Sequence, residues 1–227
     1  MSTPTTSTEK YLPIAPVWHT CCIVVLVGTL SALSVYLRMG TPNPRIDNVP
    51  LYLMLIAIEW FLFAFTLWKS DGTFKNYVAR VLRNPRSLLL DVPVALVLSA
   101  ITFFLGPLMI KILGPNGWGS AQGILPNDGL ERALWIVLSI SAGICEETVF
   151  RGYLQQQLTG WTGHLSAGIF GQAIIFGLGH GYQGWKSMTL IAVLGFILGI
   201  AVWLRKGLRA NMIAHALVDS VQAFSFG

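Results

Sequence analysis

Residues 50–68, 88–110 and 187–204 are close to unbroken apolar runs, each near the length a helix needs to cross a bilayer. About 20 residues at 1.5 Å each cover the hydrocarbon core. Lipid offers no hydrogen bonds, so a chain crossing it satisfies its backbone internally, as a helix or a closed barrel. Runs of this length specify helices. Adding 14–37 and the more polar stretches 132–157, 165–183 and 208–225 gives about seven spans. Composition agrees: 54% of the 227 residues are hydrophobic, 11% are charged, and the mean hydropathy is +0.63. A soluble domain carries about a quarter charged residues. The expected fold class is an all-α, polytopic transmembrane bundle.

The net charge of +5 sits in loops, where membrane topology places Lys and Arg, and gives no indication of nucleic-acid binding. Loops on one side hold nine basic residues (Lys10, Lys69, Lys75, Arg80, Arg83, Arg86, Arg205, Lys206, Arg209) against five on the other (Arg38, Arg45, Lys111, Arg132, Lys186). This bias predicts a cytoplasmic N-terminus and an outward C-terminus. Residues 1–13 read as a polar tail before a retained first helix, 14–131 as N-terminal helices and loops, and 132–227 as the functional core of the same domain. Cys21, Cys22 and Cys145 all lie in apolar stretches and form no CxxC pair.

Phe74, Tyr77, Val78, Val81 and Leu82 form an apolar stripe at helical spacing, with Lys75, Arg80 and Arg83 off it. The pattern predicts an amphipathic helix over 73–84 in the headgroup region, ending near Pro85, or else a plain basic loop. The turn-rich stretch 114–129 reads as a connector.

After Arg132 the acidic residues are Glu146, Glu147 and Asp219, and the histidines are His164, His180 and His215. All but His164 fall inside predicted spans. An ionisable group at the bilayer centre costs about 2.5–3.5 kcal/mol on insertion scales, so such groups face a protein interior and have partners. Three helices bringing them together imply one shared, wet cavity. Glu147 and Arg151 are four apart with the acid first, the favourable order for an intrahelical ion pair. Glu146 points about 100° away, leaving it the freer carboxylate. Gln172, Phe176 and His180 form a second stripe at the same spacing, with Gly177, Gly179 and Gly181 beside the histidine. Asn211, His215 and Asp219 form a third, in which the carboxylate can fix the imidazole's tautomer. Each stripe has an ordinary explanation: a brace, a packing histidine among glycines, a polar link between helices. Three in order within about 75 residues point to a functional site.

The motifs "EETVFR" (146–151), "FGLGH" (176–180) and "HALVD" (215–219) resemble the EExxxR, FxxxH and HxxxN/D motifs of the CAAX prenyl endopeptidase and bacteriocin-processing family (CPBP, or Abi) of glutamic-type intramembrane proteases. The resemblance covers roughly 132–225. It implies hydrolysis of a peptide bond in a membrane-associated or lipidated, CAAX-like substrate. Glu146 and His180 would activate the water, Glu147 and Arg151 would hold the helix, and His215 with residue 219 would stabilise the oxyanion. An ionised Asp219 only accepts hydrogen bonds, where Asn would donate, so we expect it to orient His215. Asn211 and Phe176 are expected supports. We expect a metal-free glutamate mechanism; the alternative, since the family has also been described as metal-dependent, is zinc held by Glu146, His180 and His215, although HExxH is absent. Expected partners are the peptide or lipidated substrate and membrane lipids, with no nucleic acid; the location is a multi-pass protein of the plasma membrane.

Two other classes compete: a non-catalytic immunity or scaffold protein, and a proton-coupled transporter, the latter weakened by the lack of visible inverted repeats. A Cys145 nucleophile is disfavoured by its apolar surroundings, and GxSxG is missing. Glu59 reads as a helix-linking hydrogen bond or a substrate-cavity acid. Gly195 and Gly199 form a GxxxG face for a dimer or an intramolecular contact. His180 late in its span and His215 early in a parallel one would differ in depth by about 10 Å at 1.5 Å per residue. That mismatch requires shifted boundaries or a helix broken at the glycine cluster.

Overall fold

The computed structural model describes residues 12–39, 48–83, 88–115, 124–222 and 224; most of the N-terminal tail, residues 116–123 of the 114–129 connector, and Pro85 lie outside them. Among the described residues all regular structure is helical. The helices are α1 (Val17–Met39), α2 (Val49–Lys69), α3 (Gly72–Arg83), α4 (Leu88–Leu113), α5 (Gly129–Thr162), α6 (Leu165–Gly179), α7 (Gly184–Arg205) and α8 (Arg209–Gln222). Five helices (α1, α2, α4, α5 and α7) are long and apolar enough to cross a membrane. The other two expected spans are shorter: α6 has 15 residues and α8 has 14. At 1.5 Å per residue they reach only about 21–22 Å, against a core of about 30 Å.

The most extensive pairings are α6 with α7, α2 with α5, α5 with α8 and α5 with α6, followed by α4 with α8. Two glycines allow close approach in the first and third of these. A Cβ on Gly143 of α5 would lie 2.6 Å from the Met212 carbonyl oxygen of α8, and one on Gly177 of α6 would lie 2.7 Å from that of Met188 on α7. The outer faces of α2 and α4 expose Phe61, Trp68, Leu89, Val97 and Phe104, as lipid-facing helices do.

α5 is the axis of the bundle. Asp128 caps its start by accepting from the Glu131 N–H at 2.9 Å. Glu131 in turn accepts from the Asn48 N–H at 2.9 Å, which ties the starts of α5 and α2 together. From Glu147 to Leu154 the helix widens into a π segment. All eight residues of that segment are buried, and Val149, Phe150, Tyr153 and Leu154 join Ile23, Leu62, Phe74 and Phe176 in the main core.

The amphipathic helix forms as α3, one residue from its expected start, but its apolar face is turned onto protein. Phe74 and Val78 are each 2% exposed. The Phe74 ring meets the π segment at Gly152 and lies 6.0 Å from the Tyr153 ring, so protein covers the face that was expected to meet headgroups. Its polar residues Lys75, Asn76 and Arg80 remain exposed.

The glycine cluster is where α6 stops. His180 is the C-cap, its N–H donating to Gly177 O at 3.1 Å, and a short 3₁₀ turn over Gly181–Gln183 leads into α7. His180 therefore lies at the end of a shortened helix rather than inside a span, which removes the depth mismatch with His215. The GxxxG face is used within the chain: Gly195 packs on Ala173 and Phe176, and Gly199 faces Gln172, Gln155 and Ile169.

Candidate active site

The π segment begins at the two adjacent glutamates. Glu146 is the last residue of the α-helical part of α5 and Glu147 the first of the wider turn. Such single-turn widenings carry an extra residue and recur at functional sites. Here the local cause includes Thr148, whose hydroxyl donates to Ile144 O at 2.7 Å and competes for the helix ladder.

Glu147 is fully buried, and three donors reach it. Arg151 Nη1 lies 3.0 Å from Oε1, His215 Nδ1 lies 3.0 Å from the same oxygen, and Asn211 Nδ2 donates to Oε2 at 3.2 Å. The Arg151 guanidinium is likewise fully buried and lies over the Phe176 ring, 3.9 Å from its centroid. Asn211 also donates to Leu198 O at 2.9 Å, linking α8 to α7. Of the expected supports, Arg151 and Asn211 thus touch Glu147, and Phe176 backs the arginine.

Glu146 is the more open carboxyl, 17% exposed, with Oε2 3.5 Å from His215 Nε2. Asp219, one turn along α8, places Oδ2 3.4 Å from the same nitrogen. Since Glu147 engages Nδ1, His215 is held at one end and offers Nε2 between Glu146 and Asp219. Trp135 of α5 donates to the Asp219 backbone carbonyl at 2.8 Å and fixes the depth of that turn of α8.

His180 approaches from α6. Its Nδ1–H donates to Phe176 O at 2.9 Å, which leaves Nε2 with its lone pair. Both imidazoles border one aromatic ring: Phe176 lies 4.9 Å from His180 and 6.2 Å from His215, centroid to centroid. The structure thus brings Glu146 and Asp219 into contact with His215 and places His180 against the same Phe176 ring that His215 borders.

Among the described residues no group of three or more His, Cys, Asp or Glu is placed to hold a metal ion, and Glu146, His180 and His215 form no such group. No step below runs through a metal. Cys145, beside Glu146, is buried in the core with 0% exposure.

Glu59 was weighed as a helix link or cavity acid, and its place is more specific: its side chain reaches across from α2 to Glu146. The available signal was a carboxyl inside an apolar span. A second feature had no sequence signal. Tyr153, on the π segment, joins a buried cluster with His19 and Thr20 of α1, its hydroxyl 2.8 Å from both His19 Nδ1 and Thr20 Oγ1.

Residues 129–221 match the family model described as type II CAAX prenyl endopeptidase Rce1-like. No curated protein and no solved structure matches the chain. The matched region starts at the first residue of α5 and takes in every residue placed above except Glu59 and the α1 pair. With five helices of spanning length and composition, the chain is an integral membrane protein.

Proposed function

With residues 129–221 belonging to the type II CAAX prenyl endopeptidase Rce1-like family, a protease family, we propose that the chain is an intramembrane endopeptidase in which Glu146 activates water against a peptide bond. The observation that carries this reading is the division of labour between adjacent glutamates. Glu147 is consumed by Arg151, Asn211 and His215, while Glu146 stays partly open beside the other nitrogen of His215.

Glu146 accepts a proton from a water molecule as the water oxygen bonds to the scissile carbonyl carbon. A carboxylate in a partly desolvated site is a competent general base near neutral pH. His180, its Nδ1–H committed to Phe176 O, offers Nε2 to the same water. His215 donates from Nε2–H to the oxyanion of the tetrahedral intermediate; a preorganised donor of this kind is worth about 2.7–4 kcal/mol. Asp219 orients His215 through the same nitrogen. On collapse, the C–N bond breaks and the proton held by Glu146 passes to the leaving amine, so peptide and water yield a carboxylate and an amine. No metal is required for any of these steps.

The substrate is a membrane-associated or lipidated peptide, CAAX-like in being presented to a site among apolar helices. The chain resides in the plasma membrane with its N-terminus in the cytoplasm, as its basic loops suggest.

Glu146→Gln tests this directly. The variant is expected to insert and purify as wild type while peptide products, profiled from membranes with and without the protein, disappear. A scaffold would keep its function in the variant, and a transporter would lose flux without any peptide product ever forming. Stoichiometric zinc in active wild-type protein would replace the metal-free mechanism.

A further inference from the structure

Four carboxyls, from Glu59, Glu146, Glu147 and Asp219, gather where α2, α5 and α8 meet, facing the Arg151 guanidinium and the His215 imidazole. Glu147 takes the arginine and one imidazole nitrogen. Glu146 and Asp219 share the other nitrogen, at 3.5 and 3.4 Å. Glu146 Oε2 is nonetheless buried and accepts no hydrogen bond from an N–H or O–H of the described residues, the His215 contact at 3.5 Å included. A buried acceptor without a donor costs about 1–3 kcal/mol, so the site needs one. The Glu59 side chain meets that of Glu146 from α2. Two carboxyl groups join only through a proton that one of them carries, because ionised carboxylates are acceptors alone.

The register that brings Glu59 there is fixed next door. The Trp60 indole N–H donates to Ser141 Oγ at 3.1 Å, pinning α2 to α5 just before the paired glutamates.

We propose that Glu59 is a positioning residue of this site: its carboxyl O–H donates to Glu146 and aims that carboxylate at the reacting water. One oxygen of Glu146 is then held and the other is left to the water. His215, with Asp219 one turn along α8, completes the cluster from the α8 side. The catalytic consequence rests on the hydrolytic reading above; the hydrogen bond itself does not.

Two variants and two readouts test this. Glu59→Leu removes the donor while remaining compatible with an apolar span, and Glu59→Gln restores a donor through its amide. For cleavage of a peptide identified by product profiling, Glu59→Leu is expected to lower kcat on the order of 10²-fold with KM little changed, as for a misaimed base. Glu59→Gln is expected to recover most of that loss. Infrared spectra of the purified protein supply the second arm. A protonated-carboxyl stretch is expected in wild type, absent from both Glu59 variants and shifted in Glu146→Gln. Wild-type kcat in Glu59→Leu, or a carboxyl band indifferent to both positions, would overturn the proposal. If wild type cleaves nothing, the hydrolytic reading fails, while the infrared arm still decides whether Glu59 donates to Glu146.

Discussion

At the scale of single residues, the adjacent glutamates show how one helix turn assigns two carboxylates to different tasks. Glu147 and Arg151 are both fully buried and 3.0 Å apart. Burying a charge is unfavourable unless it is paired and hydrogen-bonded, so neither can be replaced alone without leaving the other exposed to an apolar interior. Arg151→Met is therefore expected to destabilise the protein by about 3–5 kcal/mol, the usual consequence of orphaning one buried ion. Pairing it with Glu147→Gln removes both charges and should restore much of that stability, read as the unfolding midpoint in detergent. The double variant should remain catalytically impaired, because His215 Nδ1 then faces an amide instead of the carboxylate that holds it at 3.0 Å. Equal recovery of stability and activity would reduce Glu147 to a packing residue. Asp219 is set differently: at 32% side-chain exposure it is more open than Glu146 at 17%.

At the scale of elements, the contact of α5 with α8 sets the separation of Glu146 from His215. Gly143 lies one turn before Glu146, where a Cβ would come within 2.6 Å of Met212 O and 3.0 Å of the Ala216 Cβ. Both neighbours sit on a rigid helix, so the helices would have to part. Gly143→Val is expected to cost about 1–3 kcal/mol from overpacking and to leave the protein folded. Lengthening the 3.5 Å contact between Glu146 and His215 should cost on the order of 10²-fold in kcat, so the midpoint moves a little and the cleavage rate a great deal. The same elements show what the sequence could and could not convey. The i, i+4 spacings of Glu147–Arg151 and His215–Asp219 were legible because both pairs lie within single helices, where spacing dictates proximity. The π segment was not, since widening leaves the hydrophobic pattern almost unchanged over eight residues. The end of α6 was half legible: the depth conflict between His180 and His215 demanded a change, but Gly177, Gly179 and Gly181 fit a packing face as well as a break. The direction faced by α3 was hidden too, because an apolar stripe looks the same whether lipid or Gly152 covers it.

At the scale of the whole molecule, the π segment is held from every side, and the N-terminal helix, outside the family-matched region, contributes a buried hydrogen-bond chain to the hold. His19, Thr20 and Tyr153 are 0%, 1% and 0% exposed. The chain has one consistent direction. Phe65 O can only accept, so His19 Nε2–H donates to it at 2.8 Å; His19 Nδ1 then accepts from the Tyr153 hydroxyl, which leaves Thr20 to donate to the Tyr153 oxygen. Four groups on α1, α2 and α5 are thereby satisfied by a single arrangement. Nearby, Gln157 clamps the approach to α1, accepting from the Ile14 and Ala15 N–H groups at 2.8 and 3.1 Å and donating to Ala15 O at 2.7 Å. If the chain acts as a unit, its losses do not add. Tyr153→Phe leaves His19 Nδ1 buried without a donor, which should cost about 1–3 kcal/mol. His19→Phe strands the Tyr153 hydroxyl and the Phe65 carbonyl and should cost a similar amount. With both replaced, the stranded Nδ1 and the stranded hydroxyl vanish together, so the combined loss should fall short of the sum by more than the 0.3–0.5 kcal/mol scatter of independent sites. Unfolding midpoints of the four proteins in one detergent measure that shortfall. Strict additivity would mean that α1 packs against α5 without gripping it, and that α5 keeps its widened turn through contacts with α3, α6 and α8 alone.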